Sequence, residues 1–352
     1  MKLNKLREKI DFIDNGILSL LNQRAKEVIE VNKLKKRNNI DTYSPKREED
    51  ILNRLKKMNK GPLGLENIEV IFREIFSIYR SLNGVLQVVY LGPQGTFTHL
   101  AAMKKFGKGS KYIPAESISE VFDKVEKEEV NYGVVPIENS IEGVVSYTVD
   151  MFFDSQLKIC SEITMNISHV LLGTSLKKIK RIYSKSEVFA QCRKWISRYL
   201  TGVELVSTSS TAKAAVVAKK DRYGACIGNK ILAELYGLKI LASSIEDSSS
   251  NITRFLIIGK NDSGSSGSDK TSLLCSVKDR VGALYDVLLP FKKYRINLTK
   301  IESRPSKKKP WEYYFFIDFE GHRDSLKVQK ALRCLAKECI FVKILGSYPK
   351  ES

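Results

Sequence analysis

Apolar side chains recur at Leu3, Leu6, Ile10, Ile13, Ile17, Leu20 and Val31, a near-heptad spacing with one glycine and no proline, which predicts one long helix over residues 3–37. Asn38 and Asn39 mark its end. Ser44-Pro45 sets a capping hydroxyl before a proline suited to a first turn, so a second helix should open there and run to Lys57. Gly61, Pro62 and Gly64 punctuate the chain before a third helix, whose apolar face is Ile68, Ile71, Phe72, Ile75, Phe76 and Leu82. One long and two short helices carry more apolar surface than a single copy can cover, so a dimer is expected. From Gln87 to Lys260 the pattern changes to short apolar runs between helical stretches. Strands are predicted at residues 88–91, 133–135, 170–172, 181–183, 203–206 and 225–227, an α/β arrangement. Asn261–Ser268, NDSGSSGS, has no apolar residue and reads as a flexible linker. After it, strands at 272–277, 296–302, 313–319 and 341–346 and helices at 282–291 and 326–338 follow the order βαββαβ of the ferredoxin-like split motif.

Composition narrows the partners. The 352 residues suffice for two or three domains, and a hydrophobic content of 43% supplies their cores. No apolar run reaches membrane-spanning length and the start has no secretory apolar region, so a soluble cytoplasmic protein is expected, with no membrane partner. Cys160, Cys192, Cys226, Cys275, Cys334 and Cys339 lie scattered in apolar surroundings; with three histidines in the chain they read as reduced core thiols and not as metal ligands. The net charge of +19 is spread over all parts, without a basic arm or a zinc-finger spacing. That favours small anionic metabolites over nucleic acid.

Three polar segments in the middle unit converge on anion chemistry. In Gly133–Val145, GVVPIENSIEGVV, a short buried strand reaches a loop where Asn139 and Ser140 sit beside free backbone N–H groups. In Tyr90–His99, YLGPQGTFTH, a strand ends in a glycine turn before the hydroxyl-bearing helix start at Thr96, without the lysine of a P-loop or the third glycine of a dinucleotide fingerprint. In Asn251–Phe255, NITRF, Thr253 and Arg254 precede an apolar run. With Ser210-Thr211-Ala212 and Ile245-Glu246-Asp247 these segments resemble prephenate dehydratase. The resemblance implies two lobes, periplasmic-binding-protein-like, with the site in the cleft between them, and a reaction in which prephenate loses carbon dioxide and water to give phenylpyruvate without a cofactor. It puts Thr253 forward as donor to the departing hydroxyl, Phe255 as a wall against the ring, and Arg254 in structural or carboxylate contacts. Thr96, Asn139, Ser140, Ser210 and Thr211 would bind the pyruvyl end. His99 reads either as a helix-start residue satisfied locally or as a polar wall of the cleft. The family's Tyr-Ser-x-x-Gln appears here as Tyr183 to Glu187, so an amide has become a carboxylate that would repel a dianion unless Lys185 or a raised pKa neutralises it.

In the helical unit Arg24 shares the heptad row of Leu3, Ile10, Ile17 and Val31, where a guanidinium must find an anion or reach solvent. Lys35 lies about 20° around the helix from it and ~16 Å along the axis, so the two could close on one small dianion. This pattern resembles the all-helical chorismate mutases, whose Leu-Arg-Glu-x-Ile is Leu6–Ile10 here. The resemblance assigns ligand contacts to Arg7, Arg24, Lys35, Arg47 and Glu48, with Arg7 reaching the partner subunit's site. Tyr79 and Asn83 stand where the family has a small residue and a Gln or Glu. At the C-terminus, Gly282-Ala283-Leu284 and Glu302-Ser303-Arg304-Pro305 resemble the two phenylalanine-binding signatures of the ACT regulatory domain, with Asn297 and Leu298 as further expected contacts. The resemblances together imply a helical mutase domain over 1–86, a dehydratase domain over 87–262 and an ACT domain over 269–352. They imply chorismate and prephenate as substrates, L-phenylalanine as effector, and a homodimer or homotetramer. Two other readings fit the same residues: a dehydratase alone, with a degenerate helical dimerisation unit, and a non-catalytic amino-acid sensor.

Overall fold

The computed structural model describes residues 2–38, 43–82, 84–248, 250–277, 280–305 and 313–351, and for Lys177 the backbone alone. The helical unit consists of α1 (Lys2–Arg37), α2 (Pro45–Met58) and α3 (Leu65–Ser81). Its 36-residue first helix is ~54 Å long at 1.5 Å per residue. Every residue from Lys2 to Leu20 is exposed, the apolar row included. Ser44 caps α2 by accepting from the Arg47 N–H, and Pro45 occupies the first turn. The unit joins the next one through side chains: Tyr43 packs between Phe106 and Tyr132, Arg80 donates to the Phe106 carbonyl at 2.8 Å, and Gly109 N–H donates to Ser77 at 2.8 Å.

The middle unit is two lobes. The first holds β1 (Gln87–Leu91), α4 (Phe97–Phe106), β2 (Lys111–Ala115), α5 (Ile118–Glu126), β3 (Tyr132–Asn139), β4 (Gly143–Val144), α6 (Ser146–Asp154) and β5 (Lys158–Asn166). The second holds β6 (Val170–Gly173), β7 (Arg181–Ser184), α7 (Ser186–Gln191), α8 (Arg193–Tyr199), β8 (Glu204–Ser207), α9 (Thr211–Lys220), β9 (Gly224–Gly228), α10 (Ile231–Tyr236) and β10 (Lys239–Ala242). The chain then returns to the first lobe as β11 (Ile252–Gly259). Strand orders are β2-β1-β3-β11-β5, with β4 beside β3, and β10-β6-β9-β7-β8. The chain crosses between lobes twice, after β5 and after β10, so the cleft lies along that pair of crossings.

The last unit follows as β12 (Asp269–Val277), α11 (Ala283–Lys293), β13 (Leu298–Pro305), β14 (Tyr313–Glu320), α12 (Leu326–Glu338) and β15 (Cys339–Pro349), with strand order β13-β14-β12-β15. Alternation splits its sheet into two faces. Leu273, Cys275, Ile317 and Phe319 pack under the two helices, while Leu274, Tyr314, Phe316, Leu345 and Tyr348 join the first lobe's core with Phe152, Leu157 and Ile159. Where β15 crosses β5 the backbones nearly touch, and a Cβ at Gly346 would collide with the backbone of Ile159.

Three expectations need correction. Asn139 ends a strand instead of lying in a loop, because β11 reaches Ile252 and keeps β3 paired as far as Asn139. Strand β5, KICSEITMN, is absent from the predicted strands because Lys158, Ser161, Glu162, Thr164 and Asn166 interrupt its apolar residues, although Glu162 is only 3% exposed. The segment 261–268 joins two units, yet it is pinned. Ser347 N–H donates to Asp262 at 2.9 Å, Arg323 pairs with Asp262 at 2.6 Å, and Asp269 accepts from the N–H groups of Ser266 and Gly267 at 3.0 and 3.1 Å.

Candidate active sites and the regulatory unit

Between the lobes lies a cavity of about 430 Å³, within the range of small-ligand sites. Of the residues expected there, Thr96, Asn139, Glu187, Ser210, Thr211, Thr253 and Phe255 line it. The centre is a pair in register on β3 and β11. The Asn139 Oδ1 accepts from the N–H groups of Ile141 and Glu142, both at 2.9 Å, which fixes the amide with its NH₂ toward Thr253. Nδ2 donates to Thr253 Oγ1 at 2.8 Å and to Asn251 at 2.7 Å. With one Oγ1 lone pair so used, the Thr253 hydroxyl can turn its hydrogen to the cleft.

Two helix starts face this pair from opposite lobes. Thr96 caps α4 and Ser210 caps α9, each accepting from the N–H three residues on. Each helix has 10 residues, so its N-terminus presents partial positive charge to the cleft. Ser140 is instead used locally, donating to Ser250 O at 2.8 Å and accepting from Ile252 N–H at 2.9 Å. His99 is also satisfied locally: it is 4% exposed, stacks on Tyr90, and accepts from Gly95 N–H through Nδ1 at 3.2 Å. Burial lowers its pKa, so it is neutral. Arg254 points away from the cavity, as described below. Glu187 is ionised: its own backbone N–H and then Lys185, 3.2 Å away, hold its pKa below the ordinary carboxylate value. Lys185 therefore neutralises the carboxylate that replaces the family amide. The sequence reading missed Gln191, one turn beyond Glu187. It donates to Glu142 at 2.7 Å, and its Oε1 meets Asn251 Nδ2 at 3.1 Å and His169 Nε2 at 2.8 Å. Its i, i+4 spacing from Glu187 was the available signal.

In the helical unit the Arg24 guanidinium lies 4.7 Å from the Tyr79 ring and 5.5 Å from that of Phe76. Tyr79 donates to Leu21 O at 2.6 Å, so the bulk that departs from the family pattern forms a shelf under Arg24. Arg24 Nη1 is buried with no hydrogen-bond partner. Lys35 is half-buried, while Arg7 and Arg47 are exposed. Glu48 pairs with Arg80. Asn83 lies outside the described residues.

In the C-terminal unit Gly282, with φ +80°, precedes α11, Ala283 is buried and Leu284 is 40% exposed. Asn297 is exposed and Leu298 half-buried at the start of β13. β12 and β13 both run antiparallel to β14, so the Gly282 turn and the Glu302–Pro305 segment come to the same end of the sheet. Ser303 and Pro305 face outward on this edge strand, with Glu302 and Arg304 turned inward. Arg304 is engaged by the first lobe: it holds both oxygens of Asp150 at 3.1 Å and donates to Ser146 at 2.9 Å.

Comparison with known proteins agrees unit by unit. The chain matches the chorismate mutase type II family over residues 6–83, prephenate dehydratase over 88–263 and the ACT domain over 271–335. It is 46% identical to a bifunctional chorismate mutase/prephenate dehydratase of Aquifex aeolicus over 355 aligned residues, covering 99% of this chain and 98% of that one. The chain belongs to the bifunctional chorismate mutase/prephenate dehydratase family. The Escherichia coli member is 31% identical over 99% of this chain and 96% of its own. A solved prephenate dehydratase from Arthrobacter aurescens in complex with L-Phe is 34% identical, with a TM-score of 0.70, over 75% of this chain and 90% of that one. The family assignment makes the chain an enzyme with both activities and a regulatory ACT domain.

Proposed function

We propose that the interlobe cleft converts prephenate to phenylpyruvate through the Thr253–Asn139 pair, the observation that carries this reading. The ring carboxylate leaves as carbon dioxide, its electron pair aromatises the ring, and the C–O bond at the opposite carbon breaks. Thr253 stabilises the departing oxygen by a hydrogen bond, and that oxygen leaves as water on taking up one proton from solvent. The helix starts at Thr96 and Ser210–Thr211 hold the pyruvyl carboxylate and ketone, and Phe255 packs on the ring. No cofactor enters. The carboxylate that departs must be weakly solvated, and the apolar walls Leu91, Phe97, Val145 and Ile167 serve that end.

The helical unit rearranges chorismate to prephenate. Arg24 Nη1, a buried donor without an acceptor, is suited to substrate anion or ether oxygen, with Lys35 on the same helix face. Tyr79 forms the shelf under it, the family resemblance adds Arg47, Glu48 and Asn83 as ligand contacts, and Arg7 comes from a second copy. That copy also covers the exposed apolar row of Lys2–Leu20, so the working form is a homodimer or a homotetramer. L-phenylalanine binds at Gly282–Leu284, Asn297–Leu298 and Glu302–Pro305 and inhibits the dehydratase. The activities divide along 1–86, 87–262 and 269–352. A cytoplasmic place goes with this assignment; among the described residues no helix is long and apolar enough to cross a membrane. Turnover of purified protein on chorismate and separately on prephenate tests the assignment. Arg24→Ala should abolish only the first and Thr253→Val only the second. Ile13→Glu should shift sedimentation to the monomer and lower mutase activity, and an unchanged oligomer would refute the dimer reading.

A further inference from the structure

Thr253 and Asn139 face the cleft, so the next side chain on one strand and the preceding one on the other, Arg254 and Glu138, face the opposite side of the sheet. A register shift follows between Arg254 and Phe255, a place where a strand can re-aim its side chains. Arg254, 8% exposed, makes four contacts there. It donates to Glu162 at 2.6 Å, Glu138 at 3.0 Å, Asp318 at 2.6 Å and the Tyr348 hydroxyl at 2.9 Å. Asp318 and Tyr348 belong to the C-terminal sheet. The same sheet sends Lys270 to Glu162 at 2.8 Å and Lys300 to Glu138. Three cations and three carboxylates thus close a neutral cluster between the domains, and Asp318 is fully buried. Burial alone would raise Glu138 and Glu162, but Lys300 and Arg254, and for Glu162 also Lys270, outweigh it and keep both ionised.

The placement matters more than the charge balance. On the lobe side, the cluster touches the dipeptides Glu138-Asn139 and Thr253-Arg254, whose other members form the catalytic pair. On the regulatory side, Lys300 lies on β13, two residues before Glu302, and Arg304 of that strand holds Asp150 and Ser146 of α6. One strand therefore carries the effector signature, the ion pair behind Asn139 and a second clamp on the same lobe.

We propose that Asp318 and Lys300 are positioning residues for the dehydratase reaction, fixing Arg254 and Glu138 from behind so that Thr253 and Asn139 keep their geometry, and transmitting the state of β13 to the cleft. The inference rests on the reading of Thr253 and Asn139 as the working pair.

The experiment uses the full-length protein with Asp318→Asn and Lys300→Met, measuring dehydratase kcat and KM, mutase rate, melting temperature and calorimetric phenylalanine binding. A positioning role predicts that kcat falls about tenfold with KM within about twofold, while mutase rate is unchanged. Phenylalanine should still bind, but its inhibition at saturation should weaken, because binding and response are uncoupled. If Asp318→Asn fails to fold, Lys300→Met carries the test alone, since its loss leaves Glu138 one cation. Wild-type kcat and full inhibition in Lys300→Met would overturn the proposal, as would a fall in kcat matched by mutase rate with inhibition intact. Thr253→Val run in parallel separates the readings: if it retains turnover, the pair itself is misassigned.

Discussion

Thr253→Val removes one hydroxyl and keeps the shape of the side chain. Thr253 is half-buried, and its hydroxyl accepts from the Asn139 amide, which retains Asn251 as an acceptor at 2.7 Å. The stability cost is therefore that of one hydrogen bond, about 1 kcal/mol. The catalytic cost is larger, because the hydroxyl is the donor to a leaving oxygen whose charge develops only in the transition state. A positioned donor of that kind is worth about 10²–10⁴ in rate, or roughly 2.7–5.4 kcal/mol of barrier. Since the lost interaction forms late, kcat should fall by that factor with KM within about threefold. Phenylpyruvate formation followed by ultraviolet absorbance measures both. Thr253→Ser keeps the donor and should recover most of the loss. A Val variant within about threefold of wild-type kcat, or a Ser variant as poor as Val, would refute a hydroxyl donor at this position.

Arg24→Met should abolish mutase turnover while shifting the melting temperature by no more than about 2 °C, because the buried Nη1 has no hydrogen bond to lose and the aromatic stacking it forfeits is small. Glu187→Gln should free Lys185 for substrate and lower the prephenate KM by about two- to fivefold at low ionic strength, with the gain shrinking as salt rises. Acid should loosen the docked C-terminal sheet: the depressed folded pKa values of Glu138 and Glu162 mean that their contribution is present above the unfolded value near pH ~4.3 and is lost as pH falls through the lower folded values. Near-ultraviolet circular dichroism titrated downward from pH ~5 should show that transition, and Lys300→Met should move it to higher pH.

Elements with strong local signals were legible in the sequence: the long α1, α2 with its Ser44 cap and first-turn Pro45, and the βαββαβ order at the C-terminus. Among the residues that line the cleft, Thr96 was legible for the same reason, as the hydroxyl of a helix start after a glycine turn, whereas Ser210 and the part expected of Thr253 came from the resemblance to prephenate dehydratase. What stayed hidden depends on distant partners. For Arg254 the sequence left structural and carboxylate contacts both open, because the partners that decide it, Asp318, Glu162, Tyr348 and Glu138, are 64, 92, 94 and 116 residues away. Asp318 itself left a trace, a carboxylate on the same strand face as Tyr314 and Phe316, and a buried acid on an apolar face implies a cation from elsewhere. Likewise the serine-rich stretch 261–268 has the composition of a loose tether, and Asp262 and Asp269, with Ser347, Arg323 and His322 brought in by the fold, turn it into an ordered connection.

Gly346 offers a way to read docking in sequences whose structures have not been determined. Any side chain there would strike the backbone of Ile159, so the residue is held to glycine only while the C-terminal sheet lies flat on β5. A relative with a bulky residue at this position must hold its regulatory sheet differently, or not against the catalytic lobe at all. In such a protein the dehydratase would work unsupported from behind, and its regulator would behave as a separable attachment. A single aligned position thus sorts relatives by mechanical architecture, independently of whether their catalytic residues are intact.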